Sequence, residues 1–196
     1  MANELDLISF TEIQQVMEMF GTLIHRYAFY SRMIEDFMKL PFSDQGLLLK
    51  GGVLEMCLLR GALAFDATNN RWPNVNMSIY KNAPILKLGN MSHMTSFKLF
   101  QMHMEFIKSV QKLGADEATI MLLILIVLFT PERAGLQHTE IVASAQNRYS
   151  TLLRHYMNWR YGPRKAPIVF SKLLTKLSDL RELSDSHNYH HLHLRN

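Results

Sequence analysis

Apolar side chains recur every three to four positions along most of the chain, which is the periodicity of amphipathic α-helices. The first such segment runs from about Thr11 to Leu40 and ends before Pro41, because proline cannot continue the hydrogen-bond ladder of a helix. Ser43 is the predicted N-cap of the next helix, which continues to about Phe65. This second helix is apolar on nearly all sides, and such a helix is expected to be buried.

The periodicity is interrupted once and then returns. Residues 66–80 combine Asn, Pro and Ser turn signals with short apolar pieces, which predicts a small β-hairpin or an irregular segment. The apolar run 120–129 is only about half as long as a membrane span, so we expect a buried central helix there. Short, breaker-rich connections favour packed antiparallel or crossing helices. The later helices are predicted from about Met94 to Leu113, Asp116 to Phe129, Leu136 to Tyr161 and Pro167 to His187.

Composition narrows the class of protein. A chain of 196 residues is long enough for one domain with a sizeable core. The net charge of +4 is scattered, which gives little support to nucleic-acid binding by this chain. The single cysteine, Cys57, excludes an internal disulfide and a cysteine-based zinc cluster and favours a reducing, intracellular compartment. No nucleophile, phosphate-loop, dinucleotide-binding or metalloprotease motif is present, so we predict no catalytic residues and no enzyme.

Charged residues in apolar surroundings require partners. Glu55 and Arg60 both lie on the helix that we expect to be buried, and Arg133 follows the central helix in the loop T-P-E-R-A-G. We predict that Arg133 pairs with Glu55, since a planar guanidinium suits a buried carboxylate; the alternative is an Arg133 that points to water. The tail 187–193 places histidines at helical spacing, as in some zinc sites, but no carboxylate or cysteine completes a set, so no metal is predicted.

The stretch from residue 30 to residue 50 resembles the signature of nuclear receptor ligand-binding domains. Its matching positions are Tyr30, Ser31, Arg32, Phe37, Leu40, Asp44, Gln45, Leu48 and Leu49. Three further segments resemble the same family, namely LLKGGVLEMCLLR (48–60), FTPERAGLQ (129–137) and KLLTKLSDLREL (172–183). The resemblance is closest to the branch that contains the vitamin D receptor, the pregnane X receptor and arthropod orphan receptors.

The resemblance implies an all-α fold, a three-layer antiparallel helical sandwich with a small β-hairpin, around an apolar ligand cavity. Residues 1–196 would form one such domain, and we expect it to lack the family's first helices and its C-terminal activation helix. Arg60, His187 and His191 match polar ligand-contacting positions of the vitamin D receptor, whereas Leu23 replaces a polar serine, which favours a more lipophilic ligand such as a sterol, a fatty acid or varied xenobiotics. The remaining cavity-lining positions implied are Met19, Phe20, Leu54, Cys57, Leu58, Gly61, Ala64, Trp72, Leu99 and His103.

The resemblance also implies partners. Arg32, Lys50 and Gln45 would border a groove for coactivator or corepressor helices, which is a helix-in-groove mode of recognition. A retinoid X receptor-type partner would bind through a surface that depends on Glu55, Arg133, Lys172, Lys176, Leu177, Leu180 and Arg181. The expected location is the nucleus, with no membrane contact and no cofactor; zinc and DNA contacts would belong to a zinc-finger domain absent from this sequence.

A second interpretation assigns the same residues a different function. If Phe20, Trp72 and His103 point inward, their side chains would fill the cavity. The domain would then be a ligand-independent dimerisation or corepressor-binding module.

Overall fold

The computed structural model describes residues 10–73 and 86–193 as a helical domain with one pair of short strands. The side chains of residues 10–20, 86, 90, 93, 94 and 190–193 lie outside that description. In chain order the elements are α1 (Phe10–Ser31), α2 (Glu35–Met38), α3 (Phe42–Ala64), β1 (Arg71–Trp72), β2 (Leu86–Lys87), α4 (Leu88–Met94), α5 (Phe97–Lys112), α6 (Glu117–Leu128) and α7 (Thr139–His193).

In the helical stack α1 packs on α3, α3 packs on α6 and α5, and α7 packs on α6, α5 and α3. The middle of the stack is the most apolar, and α6, which the sequence predicted as a buried central helix, contributes Ile120, Leu123 and Leu128 to the core at an exposure of 1% or less. The all-α class and the sandwich architecture are therefore confirmed. β1 pairs with β2 in antiparallel fashion, but β2 lies beyond the predicted range 66–80, and residues 74–80 of that range lie outside the described residues.

The first predicted helix is wrong in one respect, because it is two helices. α1 ends at Ser31. Backbone hydrogen bonds between residues three positions apart, such as that from the Met33 amide to the Tyr30 carbonyl at 2.9 Å, then form a turn before α2. The turn reorients the chain so that Asp36 is buried and accepts hydrogen bonds from Arg148 (3.0 Å) and the Tyr149 hydroxyl (3.1 Å). A continuous helix would present its residues in a different direction.

The predicted N-cap of α3 is also wrong. The capping position is Pro41 rather than Ser43, and no side chain caps the helix. Instead, the Gln45 amide donates to the Pro41 carbonyl at 3.0 Å, and the Gln45 side chain donates to the Leu40 carbonyl at 2.9 Å. The proline suits this boundary because its fixed φ is compatible with a helix start.

Two other helices begin at N-cap residues of the usual type, which the sequence analysis did not name as caps. Ser96 caps α5 by accepting from the Leu99 amide, and Asp116 caps α6 by accepting from the Thr119 amide at 2.9 Å. α4 was not predicted, because the segment 88–94 is short and has no clear apolar period.

α7 consists of two helical segments that meet at Gly162. This residue has φ 73° and ψ 166°, a conformation that favours glycine, and the segments are 139–161 and 163–193. The break therefore lies where the sequence predicted an interruption, although the second segment begins a few residues earlier than Pro167. None of the helices within the described residues has the length and hydropathy needed to cross a membrane.

Candidate ligand-binding site

A buried pair of histidines lies between α5 and the second segment of α7. His187 Nε2 is 3.3 Å from His103 Nδ1, the rings meet edge to face, and both residues are less than 10% exposed. Burial lowers the pKa of His103 to about 4, so its ring is neutral at physiological pH. A neutral His103 ring can accept a hydrogen bond from His187 or donate one to it, which makes this pair a polar spot inside an apolar core.

Trp72 connects this pair to the rest of the interior. Its ring lies 6.3 Å from that of His103 and 4.7 Å from that of Phe65, and its indole Nε1 donates to the Gly61 carbonyl at 2.9 Å. A Cβ atom at Gly61 would come within 3.7 Å of the same nitrogen. Of the predicted cavity-lining residues, Gly61, Trp72, His103 and His187 are thus brought together.

The other predicted lining residues are buried to different degrees. Cys57, Leu58 and Leu99 are buried, and Leu23, Leu54 and Ala64 are partly buried. Burial raises the pKa of the Cys57 thiol to about 12, so the thiol stays protonated and behaves as a small apolar group. The side chains of Met19, Phe20 and His191 lie outside the described residues. Their assignment to the cavity lining therefore stays a prediction.

Arg60 differs from the expectation of a buried cation. Its side chain is 27% exposed, and its Nη1 atom pairs with the Glu117 carboxylate at the start of α6. Tyr27 lies beside this region and donates its hydroxyl to the Met56 carbonyl at 3.1 Å, and burial raises its pKa. The Arg60 charge is thus partnered within the chain, an interaction that the sequence analysis missed because an exposed carboxylate such as Glu117 gives no signal about its partner.

The predicted pairing of Glu55 with Arg133 is confirmed. Two parallel hydrogen bonds join the Arg133 guanidinium to the Glu55 carboxylate, at 3.1 and 3.0 Å. The Arg133 side chain is 11% exposed and the Glu55 side chain is 7% exposed. Arg133 lies across the Gly51–Gly52 pair of α3, where a Cβ atom on Gly51 would come within 2.5 Å of its Cδ atom. The two glycines therefore leave the space through which this side chain reaches Glu55, a role that the sequence analysis did not assign to them.

The predicted groove residues differ in exposure, and the Gln45 side chain is partly buried. Arg32 and Lys50 are exposed, and the Gln45 side chain is held by the hydrogen bond described above. Apolar side chains are unusually exposed around them, including Phe42 at 81% and Met33 at 66%. We call the surface formed by Phe29, Arg32, Met33, Met38, Phe42 and Lys50 the α2 surface.

The predicted dimerisation residues divide between surface and core. Lys172 and Arg181 are exposed, and Lys176 and Leu177 are partly exposed, with Lys176 paired to Asp179 at 2.5 Å. Leu180 is fully buried in the chain's own core. The helix directs this position inward, and its part in dimerisation stays a prediction.

The described part of the chain contains no group of three or more His, Cys, Asp or Glu side chains that could hold a metal ion. The histidine tail is only partly covered by that statement, since the side chains of residues 190–193 are outside the description.

Comparison with known proteins gives one consistent answer. The profile of the ligand-binding domain of nuclear hormone receptors matches residues 2–193. The vitamin D3 receptor of Gallus gallus is 31% identical over 160 residues, which are 81% of this chain and 34% of that receptor. The vitamin D3 receptor of Sus scrofa is 26% identical over 185 residues, 94% of this chain and 42% of that receptor. The chain thus spans less than half the length of these relatives, and it belongs to the nuclear hormone receptor ligand-binding domain family.

Proposed function

We propose that this domain binds a lipophilic small molecule in its core and thereby regulates a nuclear receptor transcription factor. The observation that carries the proposal is the His103–His187 pair, which places a polar spot among apolar side chains. Apolar walls with a few placed polar groups are the usual composition of a small-molecule pocket. The ligand would be a sterol, another lipid or a xenobiotic, with a polar group directed at the two imidazoles.

The state of the histidines favours a neutral polar group on that ligand. A His103 ring with a pKa of about 4 carries no charge to balance a carboxylate. The nearby cation, Arg60, is already paired with Glu117. A hydroxyl or a carbonyl would exchange hydrogen bonds with the neutral His103 ring, whereas a buried carboxylate beside that ring would gain no counter-charge from it.

Native mass spectrometry of the purified domain tests the binding. We expect an added mass in the range of a lipid, lost in denaturing solvent, and a smaller bound fraction in His103→Phe, which replaces the polar ring with an apolar one. His155→Phe, at an exposed position, is the matched control. A wild-type domain that carries no added mass, and acquires none when incubated with cholesterol or palmitate, would contradict ligand binding.

We also propose that the α2 surface receives coregulator helices. Exposed apolar side chains there could bury the leucines of an amphipathic helix, and Arg32 and Lys50 could attract the partial negative charge at its C-terminal end. Fluorescence anisotropy with an L-x-x-L-L peptide and with a longer corepressor helix tests this. Lys50→Ala should weaken binding of at least one peptide several-fold, and Lys108→Ala, an exposed position on α5, should not. Equal binding by both variants and the wild type would contradict the assignment.

We further propose that the exposed side of residues 168–181 binds the ligand-binding domain of a retinoid X receptor-type partner in the nucleus. Lys172 and Arg181 are the exposed charges that could contribute. Sedimentation of the mixed domains should detect a heterodimer that Lys172→Glu with Arg181→Glu weakens. Only homodimers, or an unchanged heterodimer in the variant, would contradict this proposal.

A ligand-independent module with a filled cavity is the second candidate. It is favoured by the inward packing of Trp72 against His103, which occupies interior space with side chains. The same native mass spectrum separates the two functions. A filled module would show the bare chain mass and would still bind corepressor helices or a partner domain.

A further inference from the structure

Five positions form a line along one side of the first segment of α7. They are seven, four, three and four residues apart, so on a helix of about 3.6 residues per turn they lie almost directly above one another. The fully buried residues Val142, Leu153 and Met157 belong to a different side of the same segment. We call this line the α7 seam, and it consists of Ile141, Arg148, Leu152, His155 and Trp159.

All five seam residues are exposed, and the three apolar ones are large. Trp159 is 78% exposed, Leu152 is 46% exposed and Ile141 is 39% exposed. A narrow line of apolar positions at heptad spacing is the pattern by which one helix packs against another. The seam therefore has the geometry of a surface that receives a partner helix.

The exposed indole of Trp159 is held in place. It stacks on Tyr156 with ring centroids 5.6 Å apart, and the Tyr156 hydroxyl donates to Asp116 Oδ2 at 2.5 Å. Seven positions earlier, the Tyr149 hydroxyl donates to Asp36 Oδ2 at 3.1 Å, so the segment is anchored twice beside the seam. A side chain that is already ordered loses little conformational entropy on binding, and tryptophan is frequent among the residues that dominate interfaces.

The charge along this part of the chain has one sign. Residues 141–178 contain seven lysines and arginines and no aspartate or glutamate. Arg148 pairs with a carboxylate of α2, and Arg160 pairs with the N-cap residue of α6. Arg164 and Lys165 follow Trp159 closely, are exposed, and have no ion-pair partner among the described residues. Acidic groups on a partner would therefore complement this end of the seam.

Two other occupants fit these observations less well. A second copy of the chain would bring the basic positions Arg148 and His155 against a seam that contains no acid. Single-stranded nucleic acid stacks successive bases on several free rings. The seam offers one exposed aromatic side chain, and one face of its ring already lies on Tyr156.

We propose that the α7 seam binds an acidic amphipathic helix of a partner protein. Leucines of that helix pack on Leu152 and Trp159, and its carboxylates pair with Arg164 and Lys165. None of the seam residues belongs to the α2 surface, to the predicted cavity lining or to the predicted dimerisation residues. The domain would therefore hold this partner and a coregulator helix at separate places.

Fluorescence anisotropy with a labelled three-heptad peptide tests the proposal. The peptide carries leucine at its a and d positions and glutamate at its e and g positions, which repel a second copy of the peptide. The comparison peptide has lysine in place of glutamate. The acidic peptide should bind at least several-fold more tightly than the basic one, and its affinity should fall as salt is raised, because exposed charges are screened. Backbone amide shifts should concentrate in residues 141–165.

The variants separate the apolar anchor from the charge. Trp159→Ala should lose roughly tenfold in affinity, since it removes the anchor. Arg164→Glu with Lys165→Glu should weaken binding several-fold. The matched controls are Phe97→Ala, an aromatic side chain that is 75% exposed on α5, and Lys108→Glu. Because all of these positions are exposed, the melting temperatures should stay close to that of the wild type.

Three results with the peptides would overturn the site. Equal binding of the acidic and basic peptides would remove the role of charge. An unchanged affinity in Trp159→Ala would remove the anchor. Shifts concentrated in residues 29–50, with binding lost in Lys50→Ala, would place the acidic peptide on the α2 surface instead.

Two further results would assign the seam to another occupant. Oligothymidine or phosphatidylserine vesicles that bind more tightly than the acidic peptide and displace it would make the seam a surface for phosphate groups. Sedimentation that detects a dimer of the domain alone, dissociated by Trp159→Ala, would make it a contact between two copies of the chain.

Discussion

His187 Nε2 lies 3.3 Å from His103 Nδ1, although 84 positions separate the two residues in the chain. The contact joins α5 to the second segment of α7 and leaves a polar pair inside the apolar core. Only one hydrogen lies between the two nitrogens, so protonating both rings would place two donors and two charges face to face. Protonation of His103 would leave its Nδ1 unable to accept a hydrogen bond from His187, so the contact is sensitive to acid at His103.

The first prediction concerns that acid sensitivity. The folded state holds the pKa of His103 at about 4, below the ordinary value of 6.5, so the unfolded chain binds more protons between these values. Its contribution to stability is complete above pH 6.5 and declines as the pH falls toward 4. Between pH 7.5 and pH 5 the free energy of unfolding should fall by about 2 kcal/mol from this residue.

Urea denaturation at the two pH values measures this loss. His103→Leu should remove most of the decline, whatever its effect on stability at pH 7.5. His155→Leu, an exposed position, should leave the decline unchanged. An unaltered decline in His103→Leu would show that other groups cause it.

The second prediction concerns the paired charges Glu55 and Arg133. Arg133→Met leaves a buried carboxylate without its partner, which should cost about 3 kcal/mol of unfolding free energy. Replacing both residues by methionine removes the unpaired charge and should cost clearly less than Arg133→Met alone. Urea denaturation of Arg133→Met, Glu55→Met, the double variant and the wild type gives the four unfolding free energies of a double-mutant cycle.

An exposed ion pair supplies the control for that cycle. Lys39 and Glu35 are 2.7 Å apart on the surface of α2, and Lys39→Met should change stability by less than about 1 kcal/mol. If the single losses at Glu55 and Arg133 simply add in the double variant, the two side chains are not coupled as the geometry implies.

Sequence reasoning found the Glu55–Arg133 pair because a carboxylate on an apolar helix requires a partner. The loop after the central helix contains an arginine that could supply the opposite charge. It did not find the Arg60–Glu117 pair, because Glu117 is exposed and exposed carboxylates give no signal about their partners. Family membership also confirms that the domain is a receptor module rather than an enzyme.

What the sequence did not predict in the fold has a common cause. The break after Ser31 follows from tertiary contacts of Asp36 with Arg148 and Tyr149, which no local pattern encodes. Leu180 was assigned to dimerisation from a motif match, whereas the direction of its side chain depends on how α7 packs. By contrast, the kink at Gly162 could be predicted because glycine followed by proline is a local signal.

The third prediction uses the two tryptophans as separate reporters. Trp72 is partly buried against Phe65 and His103, whereas Trp159 is 78% exposed and stacks on Tyr156. In Trp159→Phe the remaining fluorescence comes from Trp72 and should resist iodide quenching and respond to a core ligand. In Trp72→Phe the remaining fluorescence should be quenched readily and should not respond.

Trp72→Phe also loses a hydrogen bond. The Gly61 carbonyl keeps the Phe65 amide as a donor at 3.1 Å, so the loss should cost only about 1 kcal/mol. Equal quenching of the two variants, or a ligand response from Trp159 alone, would contradict the placement of Trp72 beside the histidine pair.

The last prediction concerns Asp44, whose side chain is fully buried at the start of α3. Its carboxylate accepts from the Gln137 amide at 3.2 Å, the His138 amide at 2.9 Å and His138 Nδ1 at 3.0 Å. Burial acts to raise the pKa of this carboxyl, but the three donors outweigh it and hold the pKa below its ordinary value. The carboxylate thus holds the segment before α7 against α3. Because its pKa is lowered in the folded state, it stabilises the fold above its ordinary pKa, and this stabilisation is lost as the pH falls below that value.

Asp44→Leu should therefore release the segment while α3 stays folded. Hydrogen exchange at the Gln137 and His138 amides should be slow in the wild type and much faster in the variant, because the acceptor that shields both is gone. Glu132→Leu, in the same connection but exposed, should leave both rates unchanged. If the two amides stay protected in Asp44→Leu, packing of the segment rather than the carboxylate holds it, and the acid loss assigned to Asp44 should then be absent as well.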